Sequence, residues 1–173
     1  MPLTPNGLSS RAELAYARLI GSLKTARTER EVLWAITREA IGVLELEDCV
    51  VYLFDRARDE LHQIAAFGPK QASPNVLESR IILKPGEGIV GACAQSQLSI
   101  RINDTRTDPR YVLDDAARLS ELAVPILGAG QVLGVIDSEH SEASFFSAQH
   151  QAVLEQIAAL AAARLLELRA PNR

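Results

Sequence analysis

Two apolar runs of strand length bracket the tripeptide Gly128-Ala129-Gly130, and this feature constrains the chain more than any other. Ser120-Glu121-Leu122-Ala123-Val124-Pro125-Ile126-Leu127 leads into it, and Gln131-Val132-Leu133-Gly134-Val135-Ile136-Asp137-Ser138-Glu139 leads out. Glycines around a turn between two such runs read as a β-hairpin, here with a three-residue loop and Gly130 in the left-handed region. Gln131 then stands opposite Leu127, and counting back along both arms sets Glu121 opposite Asp137. Side chains alternate with a period of two, so Glu139 shares the face of Glu121 and Asp137. Like charges opposite one another destabilise a sheet. Such a face requires a cation, hydrogen-bond donors, a bound ligand or a shared proton, and it is the candidate site. The alternative is that Glu121 caps or pairs locally while Asp137 and Glu139 face water at a strand end, as most carboxylates do.

The rest of the chain supplies partners for that hairpin. Residues 1–7 carry two prolines, an Asn and a Gly and are expected to be loose. From Ser9 or Ser10 as N-cap, Leu14, Ala17, Ile20 and Leu23 mark the apolar face of a first helix. Thr28 followed by Glu31 forms a capping-box pattern and opens a second helix over about residues 29–45. The β-branched and aromatic runs over 49–54 and 60–67 predict a strand pair. Residues 68–75, with two prolines and a Gly, read as a surface loop, and 80–83 as a short third strand. A turn at 84–88 leads into a short helix over 89–96 whose small side chains allow close backbone approach. Residues 98–102 form a fourth strand, 103–111 a polar loop, and Ser147 caps a last helix reaching about Leu168. An α+β architecture follows, with one mainly antiparallel sheet of about six strands and helices on both faces. A single domain over 8–169 is expected, with 170–173 a flexible tail.

Composition excludes several classes of function. A chain of 173 residues, 47% hydrophobic and 23% charged, is long enough for a continuous core and is not a disordered composition. Its net charge of −4 offers no electrostatic footprint for nucleic acid or anionic membrane, so neither is expected as a partner. The N-terminus lacks the basic region and apolar core of a signal peptide, and no run reaches the roughly 18 apolar residues of a membrane span, which predicts a cytoplasmic protein. Cys49 and Cys93 belong to no Cys-x-x-Cys pair and have no His at ligand spacing, so buried free thiols are expected. His62, His140 and His150 are isolated. His140 beside Glu139 has the chemistry of a metal ligand, but without a second His or Cys at ligand spacing no metal site is assigned and the cofactor is unknown. The last helix carries Leu160, Leu165, Leu166 and Leu168 around its circumference, more than one core-facing stripe needs. A homodimer through the first and last helices is expected; the alternative is that the first helix alone covers the surplus.

At Gly86-Glu87-Gly88-Ile89-Val90-Gly91, Asn103-Asp104 with Asp108-Pro109-Arg110-Tyr111, Ser120-Glu121-Leu122-Ala123-Val124-Pro125-Ile126 and Leu133-Gly134-Val135-Ile136-Asp137, the sequence resembles the GAF domain family. The segments match in order and spacing over about residues 28–168. The resemblance implies an α/β/α sandwich in which a six-stranded antiparallel sheet carries the first and last helices on one face. It also implies a small-molecule pocket on the other face, under the short helix and the loop that follows it. GAF domains mostly sense small molecules and pass the event to a kinase, cyclase, phosphodiesterase or transcription activator, so a non-catalytic sensor is the expected role.

Particular ligands can be weighed on the same residues. The Asn-Lys-Phe-Asp-Glu signature of cyclic-nucleotide-binding members is matched only at Phe146, and three carboxylates repel a cyclic phosphate. A bilin needs a reactive thiol, and Cys93 has no basic neighbour in sequence. Glu121, Asp137 and Glu139 resemble the acidic positions of the free methionine-(R)-sulfoxide reductases in this family, whose two cysteines fall here at Val90 and Asp114. Without a thiol at the attack position the chemistry has no nucleophile unless a displaced Cys93 supplies it. The acidic floor without the thiols points to an amine-bearing or cationic small molecule, anchored by Glu121, Asp137 and Glu139, with Tyr52, Phe54, Ile89, Cys93 and Tyr111 as wall or lid. A third expectation is a dimerisation and interaction module whose cavity is filled by its own side chains.

Overall fold

A computed structural model describes residues 5–77, 81–113 and 116–170. Helix α1 spans Pro5–Leu23, and α2 spans Glu29–Ala35. The latter continues through a π-helical stretch at Ile36–Ile41 into the single turn α3, Gly42–Leu44, which ends at Glu45 in the left-handed region (φ 55°). The main sheet has the order β5-β2-β1-β8-β7-β6 with every pair antiparallel. Its strands are β1 (Asp48–Asp55), β2 (Glu60–Phe67), β5 (Ile82–Leu83), β6 (Ile100–Ile102), β7 (Ser120–Gly128) and β8 (Gln131–His140). Two short strands, β3 (Gln71–Ser73) and β4 (Val76–Leu77), form a separate hairpin where the sequence suggests only a loop. Helix α4 spans Gly88–Ser96 and α5 spans Ala148–Arg169.

The sheet divides the core in two. One cluster joins α1, α2 and α5 to Cys49, Val51, Leu122, Val124, Ile126 and Ile136; the other joins Ile89, Val90, Cys93 and Ala94 of α4 to Val50, Tyr52, Ala123 and Val135. β1, β2, β7 and β8 each contribute to both, as a period of two requires, while the edge strands β5 and β6 add only to the second. α5 begins where Ser147 accepts from the His150 amide and His150 closes the capping box. At α2, Thr28 Oγ1 accepts from the Glu31 amide as expected, while the Glu31 carboxylate accepts from the Arg27 amide rather than from Thr28.

Three expectations need correction. The first helix starts at Pro5, before the serines, and it buries Leu8, Ala12, Ala15, Leu19 and Leu23. Leu14 and Ile20 are 48% and 41% exposed, so the face inferred from them is largely the outer one. A strict spacing of three advances 300° per step and drifts round a helix, whereas the buried spacing of four, three, four and four stays on one side. The hairpin loop is two residues, Ala129 (φ 52°) and Gly130 (φ 73°), with Gly128 opposite Gln131. A bulge at Leu133 then puts Ile126 opposite Gly134, so Glu121 stands opposite Glu139 and Asp137 opposite Ala123. The shorter turn shifts the register by one and the bulge by one more, and two shifts leave every side chain on its expected face. In the third strand only Ile82 and Leu83 pair, and Arg80 lies outside the described residues.

Candidate functional site

Beneath α4 the sheet carries more acid than the hairpin alone reveals. On β1, Asp48 stands opposite Glu139 of β8, and Glu139 stands opposite Glu121 of β7, so three carboxylates lie in one row across three strands. Asp137 occupies the next position on the same face, between Val50 and Ala123. All four side chains are buried. Four ionised carboxylates this close would not stay folded.

Two cations and a proton resolve the conflict. Lys70 Nζ lies 2.5 Å from Glu139 Oε2 and 3.4 Å from Asp48 Oδ2, and the residue is only 7% exposed. Burial would strip its proton, but Glu139, Asp137 and Asp48 more than offset that and raise its pKa. Arg118 places Nη2 3.4 Å from Asp48 Oδ2 and Nε 3.5 Å from Glu47 Oε1. Glu121 and Asp137 share a hydrogen bond, and the pKa of each is raised. Burial is the largest cause of the upward shift in both groups, followed by the charges around them. The pair therefore holds a proton at neutral pH.

The local backbone delivers these groups. Gly68 (φ 88°) lets the chain leave β2 so close to β1 that a Cβ there would sit 2.5 Å from the Glu47 carbonyl oxygen, and Lys70 turns back over the sheet two residues later. Gly91 permits a similar approach on α4, where a Cβ would meet the Lys84 carbonyl oxygen at 2.3 Å. Arg118 is fixed from both sides: its amide donates to the Tyr111 hydroxyl oxygen at 3.0 Å, and its carbonyl accepts from the Thr105 hydroxyl. Tyr111 in turn donates to the Glu139 side chain, and burial pushes its pKa up to about 12.

A cavity of about 30 Å³ lies between this cluster and α4, with Tyr52, Lys70, Ile89, Val90, Glu121, Asp137 and Glu139 among its lining residues. Asp137 Oδ1 is buried there without a hydrogen-bond partner. Of the residues expected at the site, the structure brings together Glu121, Asp137, Glu139, Tyr52 and Ile89 on the cavity, with Tyr111 touching Glu139. The Tyr52 hydroxyl is held by Gln63 Nε2 at 3.0 Å. Cys93 lies close enough for the Asp137 and Glu121 charges to act on it, and burial followed by those charges pushes its pKa up to about 12. Phe54 is elsewhere, packed on the cluster around α4 and lining a surface groove with Arg56, Pro85, Ala94 and Gln131.

Asp48, Lys70 and Arg118 escape a reading of the sequence. Asp48 precedes the apolar run that marks β1, Lys70 sits in a Gly/Pro-rich segment, and Arg118 is one basic residue of several in a long loop. The demand for a cation was the available signal, without an address. His140 has a structural role: its ring stacks on Phe145 at 3.6 Å, and Nδ1 accepts from the Glu142 amide at 3.0 Å. Among the described residues no group of three or more His, Cys, Asp or Glu side chains is arranged to hold a metal ion, and no helix is long and apolar enough to cross a membrane.

The sheet order, the two helical layers and the covered acidic face define a GAF-type fold, and comparison with known proteins agrees. The model of the GAF domain family matches residues 26–165, so the chain belongs to that family. No curated protein matches the sequence. Among solved structures, it is similar to free methionine-R-sulfoxide reductase from Neisseria meningitidis in complex with its substrate, at 16% identity and a TM-score of 0.82, covering 98% of this chain and 96% of that one. It is similar to a putative GAF sensor protein from Burkholderia vietnamiensis (18%, TM-score 0.79, 92% and 96%). A third likeness is to the GAF domain of a phosphoenolpyruvate-protein phosphotransferase from Coxiella burnetii (22%, TM-score 0.76, 91% and 96%).

Proposed function

We propose that this GAF domain is a non-catalytic sensor that binds a compact amine-bearing or otherwise cationic molecule at the acid cluster, between the sheet and the segment 89–118. The observation that carries the reading is Asp137 Oδ1, a buried acceptor without a partner on the wall of a cavity lined by three carboxylates. Glu121, Asp137 and Glu139 are the anchors in this reading, and Tyr52, Ile89 and Tyr111 bound the ligand.

A thermal-shift panel of amino acids, methionine sulfoxide, polyamines, cyclic nucleotides and simple anions tests it. A ligand at about 100 times its Kd adds roughly 2.7 kcal/mol, a shift of several degrees at this size. An amine that stabilises the wild type and not Asp137→Asn supports the reading; stabilisation only by anions refutes it.

The free methionine-(R)-sulfoxide reductase reading has support in the shared fold and the acidic cluster. Against it, the expected attack position is Val90, an apolar side chain on the cavity, and Cys93 is held as a thiol by burial and neighbouring carboxylates. The other expected cysteine position, Asp114, lies outside the described residues. Sulfoxide reduction that disappears in Cys93→Ser would favour the enzyme. We also propose a cytoplasmic homodimer through α1 and α5, where Leu14, Ile20 and Leu166 are exposed, serving a kinase, cyclase or transcription-regulator output. Light scattering at micromolar concentration giving the monomer mass would remove the dimer.

A further inference from the structure

The acid cluster already holds an ammonium group, and that group belongs to the protein. Lys70 Nζ occupies the position between Asp48 and Glu139, with Asp137 adding to the field around it. Its setting is unusual for so buried a residue. The segment it opens, 72–76, is exposed throughout, and β3 and β4 form a two-stranded sheet of three and two residues apart from the main one. A hairpin that short has little stability of its own and is held by its anchors. Those anchors include the Lys70 ion pairs, the half-buried Leu77, the hydrogen bond from the Gln71 amide to the Gly68 carbonyl oxygen and a 2.9 Å bond from Arg30 Nη2 to the Asn75 carbonyl oxygen.

Volume decides what an incoming ligand must do. The cavity of about 30 Å³ has room for about one water and for no organic amine. Tyr52, Ile89 and Val90 belong to the core cluster around α4 and cannot yield without breaking it. Of the charged lining groups, Lys70 is the one next to an exposed segment, since Glu121, Asp137 and Glu139 lie on central strands of the sheet, and it has the chemistry the carboxylates select: a primary ammonium on an unbranched stem.

We propose that Lys70 is the resident occupant and the specificity-determining residue of this site: a primary alkylammonium ligand enters by displacing it, and the displaced lysine frees the β3–β4 hairpin. This rests on the amine-pocket reading above. The tethered side chain competes at the high effective concentration of an intramolecular group, so the site rejects weak or donor-poor cations. A quaternary ammonium, which has no N–H to give Glu139 or Asp137, does not replace it. The exchange converts binding into movement of a surface hairpin, which is the event an attached output module would read.

Digestion by a lysine-specific endoprotease tests the exchange on the unmodified protein. The chain has three lysines: Lys24 is exposed, Lys84 precedes Pro85 and resists cleavage, and Lys70 is buried. The ratio of cleavage after Lys70 to cleavage after Lys24 in one tube cancels any inhibition of the protease by the probe. With n-butylammonium chloride the ratio should rise at least about threefold and saturate, because cleavage follows the population of the open form. Equal concentrations of tetramethylammonium chloride and sodium chloride should leave it unchanged, and the rise should disappear in Asp137→Asn.

A parallel melt of Lys70→Ala separates the two ideas. Butylammonium should restore several degrees of the Tm lost in that variant, because the acids then have no tethered cation. Rescue of Lys70→Ala with no change in the wild-type cleavage ratio overturns the exchange and leaves the amine pocket standing. Absence of both responses overturns both. A ratio that rises equally with tetramethylammonium overturns the selection of a primary ammonium. If Lys70→Ala does not fold, the wild-type and Asp137→Asn digests alone decide.

Discussion

The two faces of the sheet use the same strands for opposite purposes. Toward α1, α2 and α5, Leu122, Val124, Ile126 and Ile136 are fully buried among apolar side chains, and that side is a dry core. Toward α4, the alternate residues of those strands are Glu121, Ala123, Val135, Asp137 and Glu139, and there a second apolar cluster adjoins buried ion pairs. An apolar core tolerates small rearrangements and keeps its energy at any pH. A buried charge cluster is stable only while its count is right, and its energy changes when a proton, a lysine or a ligand ammonium enters or leaves. The difference suits a sensor, with one face holding the fold and the other able to change state.

The comparison depends on register, so its strongest test is to break the register. Deleting Leu133 removes the bulge and shifts the pairing of β8 by one residue. Asp137 and Glu139 must then enter the dry core, or the turn must be rebuilt. Loss of cooperative thermal unfolding by circular dichroism is expected; a variant that melts like wild type would show that the bulge does not assign the faces.

The next effect is that of removing a single charge. Lys70→Ala leaves Asp48 and Glu139 buried without their ammonium and should cost about 3–5 kcal/mol by urea denaturation. Combining Lys70→Met with Glu139→Gln removes both charges and should cost much less than the sum of the single changes. Additive losses would mean that Lys70 acts by packing alone.

These two tests bear on what was legible in the sequence. The hairpin, the alternation and the acidic face follow from short-range pattern, and they survived an error of two in register because parity was preserved. Asp48 and Lys70 come from 89 and 67 residues before Asp137 and are brought to it by the β1–β8 pairing and the turn at Gly68. No local pattern encodes such a meeting. The buried face of α1 was missed for another reason: two of its five positions, Ala12 and Ala15, are alanines, which add little to an apolar pattern although they let α1 approach its neighbours closely.

A third test uses protons. Burial and neighbouring charges raise Glu121 well above its ordinary range and Asp137 to about 8, so between the unfolded carboxyl range and pH 8 the folded state binds more protons than the unfolded one. That stability is complete at low pH and is lost as pH rises through the folded value. Of the groups facing the pair, Cys93 and Tyr111 are pushed up to about 12 and Lys70 is raised, so none of the three titrates near neutrality, and Arg118 stays charged. His140 and His150 are lowered, mainly by burial, and contribute an opposite slope below their ordinary value of 6.5. Between pH 6.5 and 8 stability should therefore fall by on the order of 1 kcal/mol per pH unit, and Asp137→Asn should flatten the slope. A wild-type curve that is already flat there would contradict the shared proton.

The smallest effect isolates the other face. Ile136 is adjacent to Asp137 on β8, fully buried, and paired with Val124 and Val51 among apolar neighbours. Ile136→Val removes one methylene and should cost about 0.5–1.5 kcal/mol. The size of the loss matters less than its constancy: the same difference from wild type is expected at pH 6.5 and pH 8, with or without butylammonium, because Ile136 packs in the apolar cluster on the opposite face of the sheet from the Glu121–Asp137 pair. Asp137→Asn, one residue away, should differ from wild type by an amount that changes with both. If the Ile136→Val difference instead tracks pH or amine, the two faces are coupled through the sheet, and the dry core takes part in the change of state that occurs beneath α4.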